Sequence, residues 1–321
     1  MKVKKQPVCF VFIGFMILFA SGSTVNGADT STNAVSSVNA VTSTNTGASP
    51  TTDTSTPCVD KSQYNLFNPT PIADMRDFST DRPDKTDGPR TVDAGHFQLE
   101  MDWANYTDTK NTIDGDSIRF QQYQFIPMNI RMGVTNNSEV NFIMDTYNIQ
   151  KIHDYTSDTK QYLEGYGDTD LRYKLNLSGN DTDGLATGLI TYIKIPSNHD
   201  DLGNHSVEGG QSYVVDFPWL GFDIGAETEV DAIRNSANDG FHAEFINSIT
   251  VHRDVIANVL NAYVEFYGDV PSNNDFSWIG TVDTGLLWTV TKNIQLDCGV
   301  NIGVTKGADQ WNPFTGISVR F

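Results

Sequence analysis

Runs in which apolar and polar residues strictly alternate recur from residue 95 to the end of this 321-residue chain, and nothing else in it constrains the fold as tightly. Between His96 and Trp103, the residues Phe97, Leu99, Met101 and Trp103 alternate with His96, Gln98, Glu100 and Asp102. Successive strand side chains point to opposite faces, so this is an extended segment with one apolar and one charged face. Over 168–177, Leu171, Tyr173, Leu175 and Leu177 oppose Asp168, Asp170, Arg172, Lys174 and Asn176. Over 220–231, Leu220, Phe222, Ile224, Ala226 and Val230 oppose Asp223, Glu227, Glu229 and Asp231. The period returns in Ile294, Leu296, Cys298, Val300, Ile302 and Val304, and in Thr315, Ile317, Val319 and Phe321.

Taken together, the runs predict twelve strands, at 95–107, 117–132, 139–151, 166–178, 184–196, 210–217, 220–233, 241–252, 255–268, 276–290, 294–305 and 313–321. Most are 10 to 15 residues long. Strands of soluble domains average about 5–6 residues, whereas strands crossing a bilayer need about 9–11. The pattern does not assign the faces of 184–196 and 255–268. Longer polar connections (108–116, 152–165, 197–209, 234–240, 269–275, 306–312) alternate with short ones (133–138, 178–183, 218–219, 253–254, 291–293). The expected fold is therefore all-β, a transmembrane antiparallel barrel of the outer-membrane type, with short periplasmic turns and longer outer loops.

A soluble lipocalin-like barrel or β-sandwich would turn its apolar faces inward. Against it, the polar faces carry several acids per strand with little lysine, an unusual solvent face. Trp278 and Trp288 also lie ten residues apart on one apolar face. At about 3.3 Å per residue and a tilt near 40°, that spacing projects to about 25 Å, the height of a lipid-facing band between aromatic girdles. Trp103, Trp278 and Trp288 are the expected girdle residues. The amphipathic last strand ending in Phe321 resembles the assembly signal of outer-membrane proteins. Expected partners are thus outer-membrane lipids and the barrel-assembly machinery.

The N-terminus fits export. Lys2, Lys4 and Lys5 precede an apolar run from Val8 to Ala20 and then small residues, the order of a secretory signal peptide. Residues 1–27 are read as that leader, with Val25 and Gly27 before the cleavage point; an uncleaved anchor is the alternative, but the run is short for a spanning helix. Of the 29 residues in 29–57, 15 are Ser or Thr and none is aromatic. Such a stretch cannot bury enough apolar surface to order itself, so 28–63 is read as a disordered linker. Residues 64–94 form an extended periplasmic or plug segment, and 95–321 the barrel.

Lys and Arg total 21 against 40 Asp and Glu, a net charge of −19. Removing the leader removes lysines and no acid. A chain this acidic repels phosphate backbones, which excludes nucleic-acid binding. No Gly-rich nucleotide-binding motif opens a helix, and no cofactor is expected. Beyond the leader only Cys58 and Cys298 remain, which suggests neither a thiol enzyme nor a zinc site.

Phe78-Ser79-Thr80-Asp81-Arg82-Pro83-Asp84, followed by Thr91-Val92-Asp93-Ala94-Gly95-His96-Phe97-Gln98-Leu99-Glu100, resembles the opening segment and first strand of the "MetA-pathway of phenol degradation" family. Arg131-Met132-Gly133-Val134 with Glu139-Val140, Gly165-Tyr166-Gly167-Asp168 with Leu171, and Ile195-Pro196 resemble its later blocks. The resemblance covers about 74–321 and implies an outer-membrane barrel that transports small solutes; it implies fold and location more firmly than substrate.

The expected lumen face carries Glu100, Asp102, Asp168, Asp170, Asp223, Glu227, Glu229, Glu244, Asp283 and Asp297, with Arg119, Arg131, Arg172, Lys174 and Arg320 among them. Two readings stay open: a hydrated, cation-preferring pore, or ion pairs that plug a narrow barrel. Ser79, Thr80, Asp81, Arg82, Pro83 and Asp84 form a candidate plug whose Arg82 would meet lumen acids; a plain periplasmic leader is the alternative. A charge at lumen-facing Asn176 should be tolerated, one at lipid-facing Tyr173 not. His199, Asp200, Asp201 and His205 share a loop and offer metal-ligand types, but such a cluster is normally solvated chain, and no metal is expected. Asn180-Asp181-Thr182-Asp183-Gly184 lacks the closing Glu of a calcium loop and reads as a turn.

Some outer-membrane barrels are hydrolases. Here His242 and Ser248 share a strand six residues, about 20 Å, apart, and Asn204-His205-Ser206 has no nucleophile elbow, so no enzyme is expected. The expected function is passive passage of small solutes, with aromatic or hydrophobic compounds as the candidate class, across the bacterial outer membrane. The alternatives are a non-transporting structural or adhesive barrel and, more weakly, a barrel hydrolase.

Overall fold

A computed structural model describes residues 60–113, 116–199, 202–235, 239–273 and 277–321. The expected leader, the expected linker up to residue 59, and Asp200 and Asp201 of the loop cluster lie outside the described residues. The sheet contains β1 (Phe97–Ile113), β2 (Asp116–Phe125), β3 (Met128–Thr135), β4 (Ser138–Met144), β5 (Tyr147–Asp154), β6 (Thr159–Gly165), β7 (Thr169–Ser178), β8 (Ala186–Ile195), β9 (Glu208–Trp219), β10 (Phe222–Arg234), β11 (Phe241–Ile256), β12 (Leu260–Pro271), β13 (Ile279–Thr291), β14 (Ile294–Gly303) and β15 (Trp311–Arg320). Every pairing is antiparallel, and β1 pairs with β15 to close the sheet.

Fifteen segments make twelve barrel staves. β2 and β3 occupy one stave, β4 and β5 a second, β6 and β7 a third. The first of these breaks falls at Ile126–Pro127, where Ile126 has φ +56° and Pro127 lacks an amide donor. Each break inverts the side-chain alternation. Thus Gln122 and Gln124 share an inward face with Thr107 and Asn105, while inward residues of β3 are the odd-numbered Asn129 and Arg131.

β1 spans 17 residues, longer than the expected 95–107, because its outer half pairs with β2, which pairs with β5, which pairs with β6. The stretch 152–165, expected as a loop, is therefore mostly a hairpin, and these strands rise as a ribbon beyond the closed part of the barrel. The β9–β10 turn falls at Leu220–Gly221 and not at 218–219. Both residues have positive φ (+51° and +79°), as the tightest hairpin turns require. The β11–β12 turn likewise falls after Ile256, not at 253–254.

The barrel is greasy outside and polar inside. Tyr173, Phe142, Phe245, Val264, Phe266 and Leu286 are among the exposed apolar residues, while Gln98, Glu100, Arg131, Glu139, Lys174, Glu265 and Asp283 are buried almost completely. The two staves left unassigned by sequence are resolved: Ala186 and Ile190 of β8 and Tyr263 and Glu265 of β12 face inward. Period two thus sorts residues by solvent, with lipid outside taking the role a core takes in a soluble protein.

Candidate functional site

The interior is occupied by the segment that precedes β1. It is anchored at the rim that carries the short turns and the C-terminus. Leu66 donates its amide to Val134 O, and the His96 ring bridges Thr70 O (2.7 Å) and Phe321 O (3.0 Å). Lys61 and Arg76 both reach Asp181 in the β7–β8 turn, at 2.8 and 2.9 Å, and Arg76 also donates to Thr91 O and Asn136 O. Burial raises the Asp181 carboxyl, but the Lys61 hydrogen bond and the Arg76 charge outweigh it and hold the group below its ordinary range. Asp181 is thus a structural clamp of a turn. Lys61, within the stretch expected to be linker, is ordered against it.

From Phe78 to Val92 the strap runs inside the barrel. Pro83, Gly88 and Pro89 exclude a helix, and the strap forms no ladder with any described strand, so its backbone amides need other acceptors. Wall carboxylates supply them. Asp81 N donates to Glu100 (3.2 Å), Lys85 N and Thr86 N to Glu265 (3.0 and 2.7 Å), Asp87 N to Glu227 (2.9 Å) and Val92 N to Glu139 (2.6 Å). Charged strap side chains complete the attachment. Asp81 meets Lys174 at 2.6 Å and Arg131 at 3.2 Å; Arg82 lies 2.5 Å from Asp102 and 2.7 Å from Asp297. Asp84 contacts His252 at 3.0 Å, Lys85 contacts Asp283 at 3.1 Å, Asp87 contacts Arg172 at 2.9 Å, and Arg90 pairs with Asp216. Close approach is built into the wall: a Cβ on Gly316 would collide with the Arg82 guanidinium, and one on Gly133 with Asp93 O.

The sequence-predicted lumen residues are distributed as follows. Glu100, Asp102, Arg131, Arg172, Lys174, Glu227, Asp283 and Asp297 converge on the strap through the bonds just given. Arg320 donates to Arg76 O (2.8 Å) and Asn293 at the short-turn rim. Asp168 faces Lys194 (3.6 Å) near the opposite rim, and Glu244 is 3.2 Å from His242. Asp223, Asp170 and Glu229 line cavities. Arg119 is a correction: it pairs with Asp108 (2.6 Å) on the outward face of the ribbon, together with Tyr106, Tyr123 and Trp311. The parity switch at Ile126–Pro127 separates it from Arg131, whose inward position it would share on an unbroken strand. Of the plug candidates, Ser79 accepts from Gln98 at its carbonyl, and Thr80 Oγ1 is met by Gln295 (3.0 Å) and itself donates to Arg82 O.

Sequence reasoning missed Glu139, Glu265, Asp216 and His252 on the wall, and Thr86 and Asp87 on the strap, whereas Lys85 and Arg90 are, with Arg82, the strap bases expected from the sequence to meet lumen acids, and they pair with Asp283 and Asp216. On β12 the signal was present, with Val264, Phe266 and Val270 alternating with Glu265 and Asp269, but Tyr263 and Tyr267 on the polar face blurred it. Trp103, Trp278 and Trp288 point outward and are about half exposed. Phe321 is exposed beside the seam, its amide donating to Phe97 O at 2.8 Å.

The strap separates two cavities. One, of about 330 Å³, opens toward the short turns and is bounded by the strap and by Asp216, Asp223, His252, Asp254 and Asn261. The other, of about 410 Å³, opens toward the longer loops and is lined by Asp170, Arg172, Tyr192, Glu229, Asp231 and Tyr267 among others. Asp87 borders both. His242 is bonded to Asn235 and Glu244 and Ser248 to Thr86, so each is engaged elsewhere than with the other in these contacts. His199 packs on the Tyr166 ring at 5.6 Å.

No curated protein matches this sequence. Among solved structures, the NanC porin aligns with a TM-score of 0.46 at 9% identity, covering 69% of this chain and 98% of that one. The translocator domain of the autotransporter NalP from Neisseria meningitidis aligns with a TM-score of 0.45 at 9% identity, covering 70% and 88%. An anion-selective porin from Comamonas acidovorans aligns with a TM-score of 0.35 at 8% identity, covering 70% and 98%. These likenesses are too distant to carry function. The family described as "Putative MetA-pathway of phenol degradation" matches residues 80–321, most of the strap and the whole barrel, and the chain belongs to it.

Proposed function

We propose that the protein is an outer-membrane channel through which small solutes pass passively, with the strap from Ser79 to Arg90 as its constriction. The observation that carries this reading is the strap's course between two open cavities, each with more carboxylates than bases in its lining. Acids in excess within low-dielectric walls concentrate the opposite ion, so cations are favoured over anions. The family's description, phenol degradation, supports small aromatic solutes, and Tyr192 and Tyr267 in the outer cavity offer ring faces for them. The charged lining disfavours strongly hydrophobic ones.

A second reading, a barrel shut by its ion pairs, is favoured by the burial of the strap's partners: Asp297 and Asp283 have side chains 0% exposed. Purified protein in planar bilayers separates the two. Discrete conductance steps in the unmodified protein support a channel; silence there, with conductance appearing only after the strap is removed, supports the shut barrel. Silence in both folded forms overturns the channel reading.

A further inference from the structure

The outward face of the ribbon carries a line of bases that the channel does not use. Lys110 is directly opposite Arg119, Arg119 opposite His153, and His153 opposite Lys160, so four adjacent strands place four basic side chains in one row on one face. Lys151, one row nearer the barrel and opposite Gln121, adds a fifth. Like charges set directly opposite one another destabilise a sheet, and a chain of net charge −19 has few bases to place. Arg119 is matched by Asp108 and His153 by Asp158. Lys110, Lys151 and Lys160 are exposed and, among the described residues, meet no carboxylate; Lys110 and Lys151 rest instead over the rings of Tyr155 and Tyr123.

The row's height identifies its partner. Tyr106, Tyr123 and Trp311 share this face and pack on one another, with ring centroids 4.8 and 5.6 Å apart, as an aromatic belt does at a membrane interface. Lys110 is four residues beyond Tyr106 along β1, about 10 Å higher at a usual strand rise and tilt. The headgroup layer extends about 5–8 Å from the hydrocarbon edge, so Lys151, one row lower at about 5 Å, stands within it, and Lys110 and Lys160 stand just beyond it, where their long side chains reach back to lipid phosphates and not to acyl chains. The ribbon is on the loop side, which in such barrels is the external one.

We infer that the ribbon's outward face, through Lys110, Lys151 and Lys160, binds the phosphorylated headgroup of an outer-leaflet glycolipid. Three ammonium groups across neighbouring strands match phosphates spread over a sugar headgroup, and the tyrosines beneath them pack against its acyl base. The inference requires the barrel to lie in an outer membrane but not that it conducts.

The test uses purified protein in neutral detergent, with bisphosphorylated lipid A as the probe and its binding followed by native mass spectrometry and by the shift in heat-modified gel migration. Lipid A should bind and raise the migration midpoint. Lys110→Gln/Lys151→Gln/Lys160→Gln should weaken binding by about ten- to a hundredfold, and the triple Lys→Arg variant should retain it. Raising salt from about 0.05 to 0.5 M should weaken binding to the unmodified protein, which needs no variant to fold. Equal binding of dephosphorylated lipid A, equal binding by the Gln variant, or an equal stabilising effect from inorganic phosphate would each overturn the inference.

Discussion

Arg131 is 1% exposed and surrounded by Glu139 at 2.9 Å, Glu100 at 2.8 Å and Asp81 at 3.2 Å. Removing one partner of a buried charge network leaves the others uncompensated, so Arg131→Met should cost about 3–5 kcal/mol, read as a lower urea midpoint for folded protein in detergent. A change below about 1 kcal/mol would mean that water screens the group and that the interior there is wet. Tyr173 and Asn176 were distinguishable by parity alone. Tyr173, 46% exposed to the outside, should lose about 2–4 kcal/mol on change to Arg near the bilayer midplane. Asn176 breaks the expectation of tolerance: it is 4% exposed and donates to Pro89 O at 2.9 Å, so Asn176→Asp replaces a donor by a second acceptor and should also destabilise. Parity states which face a side chain takes; it is silent about a partner 87 residues away in the chain.

The strap shows the same limit in an element. Its composition, with Pro83, Gly88 and Pro89 among charged residues, announced an extended segment, and Arg82 suggested a meeting with acids. Its amides' need for acceptors could not be matched to Glu100, Glu227 and Glu265 without the barrel's closure. The staves are legible because lipid enforces alternation along each one, whereas the ribbon rises beyond that constraint: the sequence marks most of β2 and β5 as strand but reads the end of β1 and all of β6 as loop. Deleting residues 74–90 should leave assembly intact and raise single-channel conductance severalfold, since the wall pairs itself through β1–β15 without the strap. Unchanged conductance in a folded deletion variant would remove the strap from the conduction path. Its rim clamp should respond to acid. Asp181, held below its usual range by Lys61 and Arg76, stabilises the attachment above the unfolded carboxylate value of about 3.9, and that stabilisation is lost as pH falls through the still lower folded value. Hydrogen exchange of the amides around Arg76 should therefore be flat from pH 7 to about 4 after correction for intrinsic rates, and rise below that. A rise already complete at pH 6 would assign the clamp to some other group.

At the scale of the whole molecule, the charge imbalance and the closed barrel act together. The excess of acid over base is not spread evenly: the outward ribbon holds exposed lysines, while the two cavities hold Asp170, Glu229 and Asp231 on one side of the strap and Asp216, Asp223 and Asp254 on the other. Of the lumen bases, Arg82, Lys85, Arg172 and Lys174 are already within hydrogen-bond reach of carboxylates, so their fields are largely offset at short range. An ion entering either cavity would therefore meet net negative charge, and a low-dielectric wall extends that field across the lumen. In a tenfold salt gradient at pH 7, the reversal potential should carry the sign of a cation-selective pore. Screening shortens the reach of the wall charges to about 3 Å at 1 M salt, so selectivity should weaken as concentration rises. Glu229→Gln/Asp231→Asn, which removes two carboxyl groups from the outer cavity without touching a residue bonded to the strap, should reduce the cation preference of the proposed channel while leaving its conductance within about twofold, because the field changes and the strap does not. Anion preference at neutral pH in the unmodified protein would show that the paired bases, and not the remaining acids, set the potential along the path.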